Sequence, residues 1–348
     1  MSIDLLSLYS EIKQLMEKVD FSMLWRGFKP LRFALYNETQ CCFDGEYIEK
    51  TDEFLANTAI EYEGEHIAIW DVMEPQDAKV LASKMIHEMF HAYQHICGET
   101  RFPDEAQALL SYRYSAENLS IKAEEDALIA ALTHDFDEEG FERLLRLRRF
   151  RHDRFPYEYA YEAAIEQIEG SARFVELNAL KQLSDEKYDK SLSASRKEVG
   201  DPLSLLPVRV VSYEIGALML MLLKEHTNLD FETPSDVPFA IEMLSCVQNG
   251  ETVPVNDRIE GLIRAYHDKT DAIVQRAKEA GRIEAEGDFD LPMVNIYDAR
   301  CHGGFIVSRF FALYYDAGAP VVLNGDFVIE LNGGDRAVRI YRLPEPLE

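Results

Sequence analysis

Residues 66–98 read HIAIWDVMEPQDAKVLASKMIHEMFHAYQHICG. The run from His66 to Val72 is rich in β-branched and aromatic residues and reads as a strand. Pro75 then opens a helix, with Glu74 and Asp77 suited to its positively polarised first turn. The helix is expected to reach Ile96 and to stop at Gly98, a residue that tolerates the left-handed conformation of a helix end. Val80, Leu81, Met85, Met89, Phe90 and Tyr93 supply an apolar face for packing. His87 and His91 lie four residues apart, on one helix face and about 6 Å apart along its axis. Both imidazoles can therefore reach one metal ion. Glu88 lies beside them, able to approach a metal-activated water as general base. A chain of this composition would show the pattern by chance about 0.04 times, so its place inside a well-formed amphipathic helix after a strand carries weight.

The residues on either side set the fold class. Leu5, Leu8, Ile12, Leu15, Met16 and Val19 recur with a helical period. Leu31 to Cys42, Glu46 to Ile48 and Thr58 to Tyr62 read as further short strands, with Glu63-Gly64-Glu65 as a hairpin turn before the strand at His66. Beyond Gly98, residues 104–150 read as helical with a break near His134–Gly140. Pro156 opens a long helix to about Leu183. Residues 184–206, with Ser191, Ser193, Ser195, Gly200 and Pro202, read as a loop. Helices are expected over Val208–Lys224, Val237–Val247 and Asp257–Glu279. From Asp288 the composition turns to strand and turn, with Val321 to Leu323, Phe327 to Leu331 and Ala337 to Leu343 as an antiparallel meander around Asn324-Gly325 and Asn332–Asp335. The order is mixed sheet, long helical body and β tail, which is an α+β pattern. The expected divisions are residues 1–75, an N-terminal helix and mixed sheet; 76–284, a mainly helical body carrying the metal site; and 285–348, a β-rich region.

Composition narrows the class of function. The 348 residues hold 36 Lys and Arg against 63 Asp and Glu, a net charge of −27. Such a chain repels phosphate backbones and anionic lipid, so neither a nucleic acid nor a membrane is an expected partner. The longest apolar run, Ile215 to Leu223, is about half of what a bilayer span requires. Cys41, Cys42, Cys97, Cys246 and Cys301 are odd in number, and none forms a Cys-x-x-Cys pair. They read as free thiols in a reducing compartment. With no secretory signal visible in the first residues, the expected location is cytoplasmic.

A metal site of this class needs a third protein ligand and an open fourth position. His95 continues the histidine face by one turn, but three rings in a line along a straight helix do not make a tetrahedron, so it reads as a surface or substrate-facing residue. The better candidate lies in Ile168-Glu169-Gly170-Ser171-Ala172-Arg173-Phe174-Val175-Glu176. Glu169 and Glu176 are seven residues apart, two turns along one face. Glu166 and Glu162 are alternative ligands, and an exposed acidic helix is the plain alternative reading.

Here the chain resembles the gluzincin metallopeptidases, and most of all the aminopeptidase N branch, whose third ligand lies in an Asn-Glu-Gly-x-Ala-x-Tyr-x-Glu stretch. The resemblance implies zinc held by His87, His91 and Glu169. It places Gly170 and Ala172 on the small residues that let this helix approach the first, and Glu176 on the carboxylate that orients a ligand histidine. Ser212-Tyr213-Glu214-Ile215-Gly216-Ala217 is similar to the branch's Tyr-Glu-Lys-Gly stretch. That similarity implies that Tyr213 hydrogen-bonds the oxyanion and that Gly216 permits close packing. A zincin-like fold is the further implication, with the strand at His66–Trp70 as the sheet edge that pairs with an extended peptide.

The sequence also departs from that pattern. Between His91 and Glu169 lie 77 residues, far more than in thermolysin or aminopeptidase N. The Gly-Ala-Met-Glu-Asn stretch that holds a substrate amino group is absent, and Ile168 and Phe174 replace the branch's asparagine and tyrosine. Exopeptidase specificity therefore does not follow. Arg143, Arg146, Arg148, Arg149, Arg151 and Arg154 form a basic run that reads as a solvated helix face paired with nearby glutamates, or alternatively as a site for an acidic substrate. The expected function is a zinc-dependent metallohydrolase, a peptidase acting on peptide or protein, with Glu88 as general base and Tyr213 as oxyanion donor. A metal-dependent hydrolase of a non-peptide substrate and a catalytically silent binding protein of the same fold remain as alternatives.

Overall fold

Among the described residues, six α-helices begin on a side chain that accepts hydrogen bonds from the first turn: Asp4, Asp77, Asp104, Ser115, Asp137 and Asn256. These short polar residues supply acceptors for amides that have no partner within the helix. The computed structural model describes residues 3–233, 235–290, 293–316 and 318–347. Its architecture is α+β, in the expected order of mixed sheet, helical body and C-terminal antiparallel β region.

Helix α1 (Leu5–Met16) precedes strands β1 (Phe33–Tyr36), β2 (Cys41–Phe43), β3 (Glu46–Ile48), β4 (Thr58–Tyr62) and β5 (Glu65–Asp71). They form one sheet in the order β3-β2-β1-β5-β4, with β1 and β5 parallel and the other pairs antiparallel. Glu63 and Gly64 both take positive φ, as a two-residue hairpin turn requires. The period of two splits the sheet's side chains between two cores. Phe33, Leu35, Cys42, Ala68 and Trp70 join the main core with α1 and the helix after β5. Ala34, Tyr36, Cys41, Ile67 and Ile69 close the other face over Phe54. The sequence misplaces the sheet edge: β5 is paired on both sides, and the edge strand beside it is β4. A strand with Ile67 to Ile69 wholly buried needs cover on both faces, which suits an interior position.

The helical body comprises α2 (Ala78–Ile96), α3 (Glu105–Ser111), α4 (Ala116–Leu132), α5 (Glu138–Arg154), α6 (Pro156–Ile165), α7 (Ser171–Leu183), α8 (Asp185–Val199), α9 (Val208–His226), α10 (Phe239–Glu242) and α11 (Asp257–Ala280). Helix α2 starts at Ala78 with Asp77 as its cap, three residues later than Pro75 suggests. A π-helical turn, Glu166–Gly170, joins α6 to α7. The expected loop at 184–206 is mostly α8. Asp185 and Glu186 in its first turn and Arg196 and Lys197 in its last complement the helix dipole. Its thin apolar stripe, Leu192 and Val199, explains why composition reads as loop.

The basic run is also corrected. Arg148 and Arg151 on α5 are fully buried rather than solvated. Arg148 makes a two-pronged ion pair with Glu166, and Arg151 donates to Glu125, Glu162 and the Asn118 side-chain Oδ1. Lys122 and Asp126 complete this buried network. Neither buried arginine is free to take an acidic substrate, and Glu162 and Glu166, the alternative ligands, are committed here.

Strands β6 (Ile283–Asp290), β7 (Met293–Val294), β8 (Arg300–His302), β9 (Phe305–Ser308), β10 (Phe311–Asp316), β11 (Ala319–Asn324), β12 (Phe327–Leu331) and β13 (Arg336–Arg342) form two sheets, β11-β10-β7 and β6-β13-β12-β9-β8. Asn332–Asp335 turns the β12–β13 hairpin. Asn324-Gly325 does not make the expected hairpin but carries the chain from one sheet to the other. Leu109 and Leu110 of α3 pack on the β core, and α11 packs its last turns there, while Ile259 and Ile263 at its start pack on the helical body. These contacts hold the β region against the helices. Among the described residues no helix is long and apolar enough to cross a membrane.

Candidate metal centre

Three elements meet at the site. Helix α2 carries His87, Glu88 and His91; the π turn carries Glu169; α9 carries Tyr213. Among the described residues His87, His91 and Glu169 are the one group of three or more His, Cys, Asp or Glu side chains placed to hold a metal ion. The Nε2 atoms of His87 and His91 are 3.1 Å apart, and Glu169 Oε2 lies 3.2 Å from the His91 Nε2 and 3.9 Å from the His87 Nε2. Two ligands bound to one zinc at tetrahedral angles stand about 3.4 Å apart, so the spacing suits a shared ion.

The hydrogen bonds fix which ring nitrogens are free. His87 Nδ1 lies 3.1 Å from Glu176 Oε2, a carboxylate that can only accept, so that nitrogen carries the proton. His91 Nδ1 lies 2.8 Å from Gln94 Oε1. The Gln94 amide is oriented by its own donation to the Ile168 carbonyl at 3.0 Å and to Ser171 Oγ at 3.2 Å, so its oxygen faces the histidine and accepts. In both neutral rings the Nε2 lone pair then points at the other ring and at a carboxylate. Three acceptors aimed at one small space repel one another unless a cation sits among them, and this donor set is one that zinc takes. Without a cation the cluster must hold protons. Burial pulls the His87 imidazole down, but Glu169 and Glu176 outweigh it and raise it to about 10. His91 is raised too, its burial outweighed by Glu169.

The flanking groups complete the electrostatics. Glu88 is 8% exposed, and burial raises its carboxyl despite the opposing histidines, which makes it a better proton acceptor than an ordinary carboxylate. Glu176 is also buried, but Arg173 and His87 overcome that and hold it at about 2. Arg173 donates to Glu176 Oε1 at 2.5 Å and to Glu214 Oε2 at 3.2 Å. Tyr213 is raised by burial and by Glu169, so its phenol stays protonated as a donor.

The close approach of these elements depends on two glycines. A Cβ on Gly170 would lie 2.6 Å from the Gly216 Cα. Gly170 therefore packs against α9, not against α2 as the resemblance implies. The π turn adds a residue just where Glu169 must face α2 while Glu176, two turns on, still meets His87, and such turns recur at functional sites.

The site opens into a cleft of about 840 Å³. Thr58 and Ala59 on the β4 edge, Trp70, Phe102, and Asn295 to Tyr297 from the C-terminal region form its walls. His95 does not reach the cluster. It stacks between His66 and Phe102 at the cleft wall, as a substrate-facing residue would. Tyr159 and Tyr161 are packing residues, bonded to the Ala240 carbonyl and to Glu105. Sequence reading misses Gln94, Arg173 and Arg209. Their helical offsets, three after His91, three before Glu176 and four before Tyr213, are the signals that could have found them. No protein-family model, curated protein or solved structure matches this chain.

Proposed function

We propose that the chain is a zinc-dependent metallohydrolase of the gluzincin type that cleaves peptide bonds. The observation that carries the reading is the convergence of two Nε2 lone pairs and one carboxylate oxygen beside a buried glutamate with a raised pKa. His87, His91 and Glu169 would hold the metal. Zinc in such a site supplies Lewis acidity and makes a water nucleophilic at neutral pH. Glu88 takes the proton of the attacking water and returns it to the leaving amine. Tyr213 donates its phenol hydrogen to the oxyanion. Glu176 and Gln94 keep the two imidazoles in the ligand tautomer.

A peptide is favoured as substrate because the β4 edge lines the cleft, and an extended chain can add to a free sheet edge through its backbone. Exposed free Cys97 and Cys246 fit a reducing, cytoplasmic setting. The test is cleavage of a peptide library by the zinc-loaded wild type and by Glu88→Gln. The variant should keep its zinc and lose about 10²–10⁴-fold in kcat. A variant as active as the wild type would refute the mechanism.

A further inference from the structure

We infer that Arg209 is a positioning residue that makes Glu169 a one-oxygen ligand and fixes the Tyr213 hydroxyl as a donor; the inference rests on the zinc reading above. Arg209 sits on α9 one turn before Tyr213, and its side chain is 11% exposed. Its Nε donates to Glu105 Oε1 at 2.9 Å, its Nη2 to Glu169 Oε1 at 3.2 Å, and its Nη1 to the Tyr213 hydroxyl. Glu105 is in turn held by the Tyr161 hydroxyl at 2.7 Å on its other oxygen. A guanidinium is a rigid planar fork, so three bonds along three edges leave it no freedom to turn.

The consequence falls on the two oxygens of Glu169. Arg209 engages Oε1, and the oxygen that faces both histidine Nε2 atoms is Oε2. A carboxylate without that restraint can swing both oxygens onto a metal. The second oxygen would then occupy the position that a catalytic site must leave open for water. On the other flank, Tyr213 accepts from Arg209, so its own hydrogen can only be donated, and in the metal-free cluster it faces Glu169. One side chain thus sets both the open coordination position and the direction of the oxyanion donor. Lysine cannot replace it, because a single ammonium offers no fork.

The experiment uses the full chain loaded with Co2+ in place of zinc. Visible absorption reports coordination number, and competition with a chelator reports affinity. Wild type and Tyr213→Phe should both show the intense bands of a four-coordinate site. Arg209→Gln and Arg209→Lys should show the weaker bands of a five-coordinate site and bind metal about 10–100-fold less tightly. Circular dichroism and the urea midpoint select the variant that folds, and Arg209→Lys keeps the charge in case Arg209→Gln does not fold. A folded Arg209 variant with wild-type bands and affinity would overturn the inference while leaving the zinc reading intact. A wild type that takes up neither Co2+ nor zinc would overturn both.

Discussion

Gly216→Ala adds one methyl group where α9 crosses the π turn. The new Cβ would lie 2.7 Å from the Gly170 Cα, 2.8 Å from the Glu166 carbonyl oxygen and 2.9 Å from the Glu166 Cα. All three are backbone atoms, so no side-chain rotation relieves the clash. Ordinary contact begins at 3.4 Å, so the two elements must part by about 0.7 Å, 3.4 − 2.7. Overpacking of this kind costs about 1–3 kcal/mol. The displacement reaches the site directly. Tyr213 and Arg209 lie on α9 just before Gly216, and Glu169 is the neighbour of Gly170. Urea unfolding of the metal-free chain should show a loss of about 1–3 kcal/mol, and chelator competition should show zinc bound about 10-fold or more less tightly. Gly170→Ala, which meets the same contact from the other side, should behave alike. If Gly216→Ala stays within about 0.5 kcal/mol of wild type and binds zinc equally, the close approach of these backbones does not set the site.

Gln94→Leu leaves the His91 Nδ1–H without its acceptor, and zinc affinity should fall about 10–100-fold by chelator competition; unchanged affinity would show that the amide does not fix the tautomer. Arg148→Met strips Glu166 of its buried partner and should cost about 3–5 kcal/mol in urea unfolding, with a surface-sized loss below about 0.5 kcal/mol counting against the network. Asp126 supplies a pH test. Burial raises its carboxyl, Lys122 only partly opposes this, and Glu125 adds to it, leaving the group at about 7 against an ordinary 3.8. The folded chain then holds this proton more tightly than the unfolded chain. Its contribution to stability is present below about 4 and is lost as pH rises through about 7. Asp126→Asn removes that loss, so its stability relative to wild type should rise by up to about 4 kcal/mol between pH 4 and pH 8. A difference that does not change with pH would contradict the assignment.

The part of the site that lies on one helix was legible in the sequence, because a spacing of four fixes a face whatever surrounds it. His87, Glu88 and His91 needed no tertiary information. Seventy-seven residues separate Glu169 from His91, and only its resemblance to a known motif separated it from Glu162 and Glu166. The three glutamates look alike in sequence. What distinguishes them is that Arg148 and Arg151 point inward and take two of them. A charged run is ordinarily solvated, so composition could not reveal that burial. The β4 edge was misread for a related reason. Strand order is a long-range property, and β5 was expected at the edge only through the zincin resemblance. Helix α8 escaped because its buried stripe, Leu192, Ser195 and Val199, is thin and partly polar. The C-terminal segment at Asn295 to Tyr297 carries no motif, yet docking through α3 and α11 brings it to the cleft wall.

The proposed function stands on His87, His91 and Glu169 sharing one metal ion. The direct measurement is zinc per chain, by elemental mass spectrometry, in freshly purified wild type beside His87→Ala and Glu169→Ala. About one zinc is expected in the wild type and little in either variant. A wild type without zinc even after reconstitution, or variants that hold zinc as the wild type does, would contradict it.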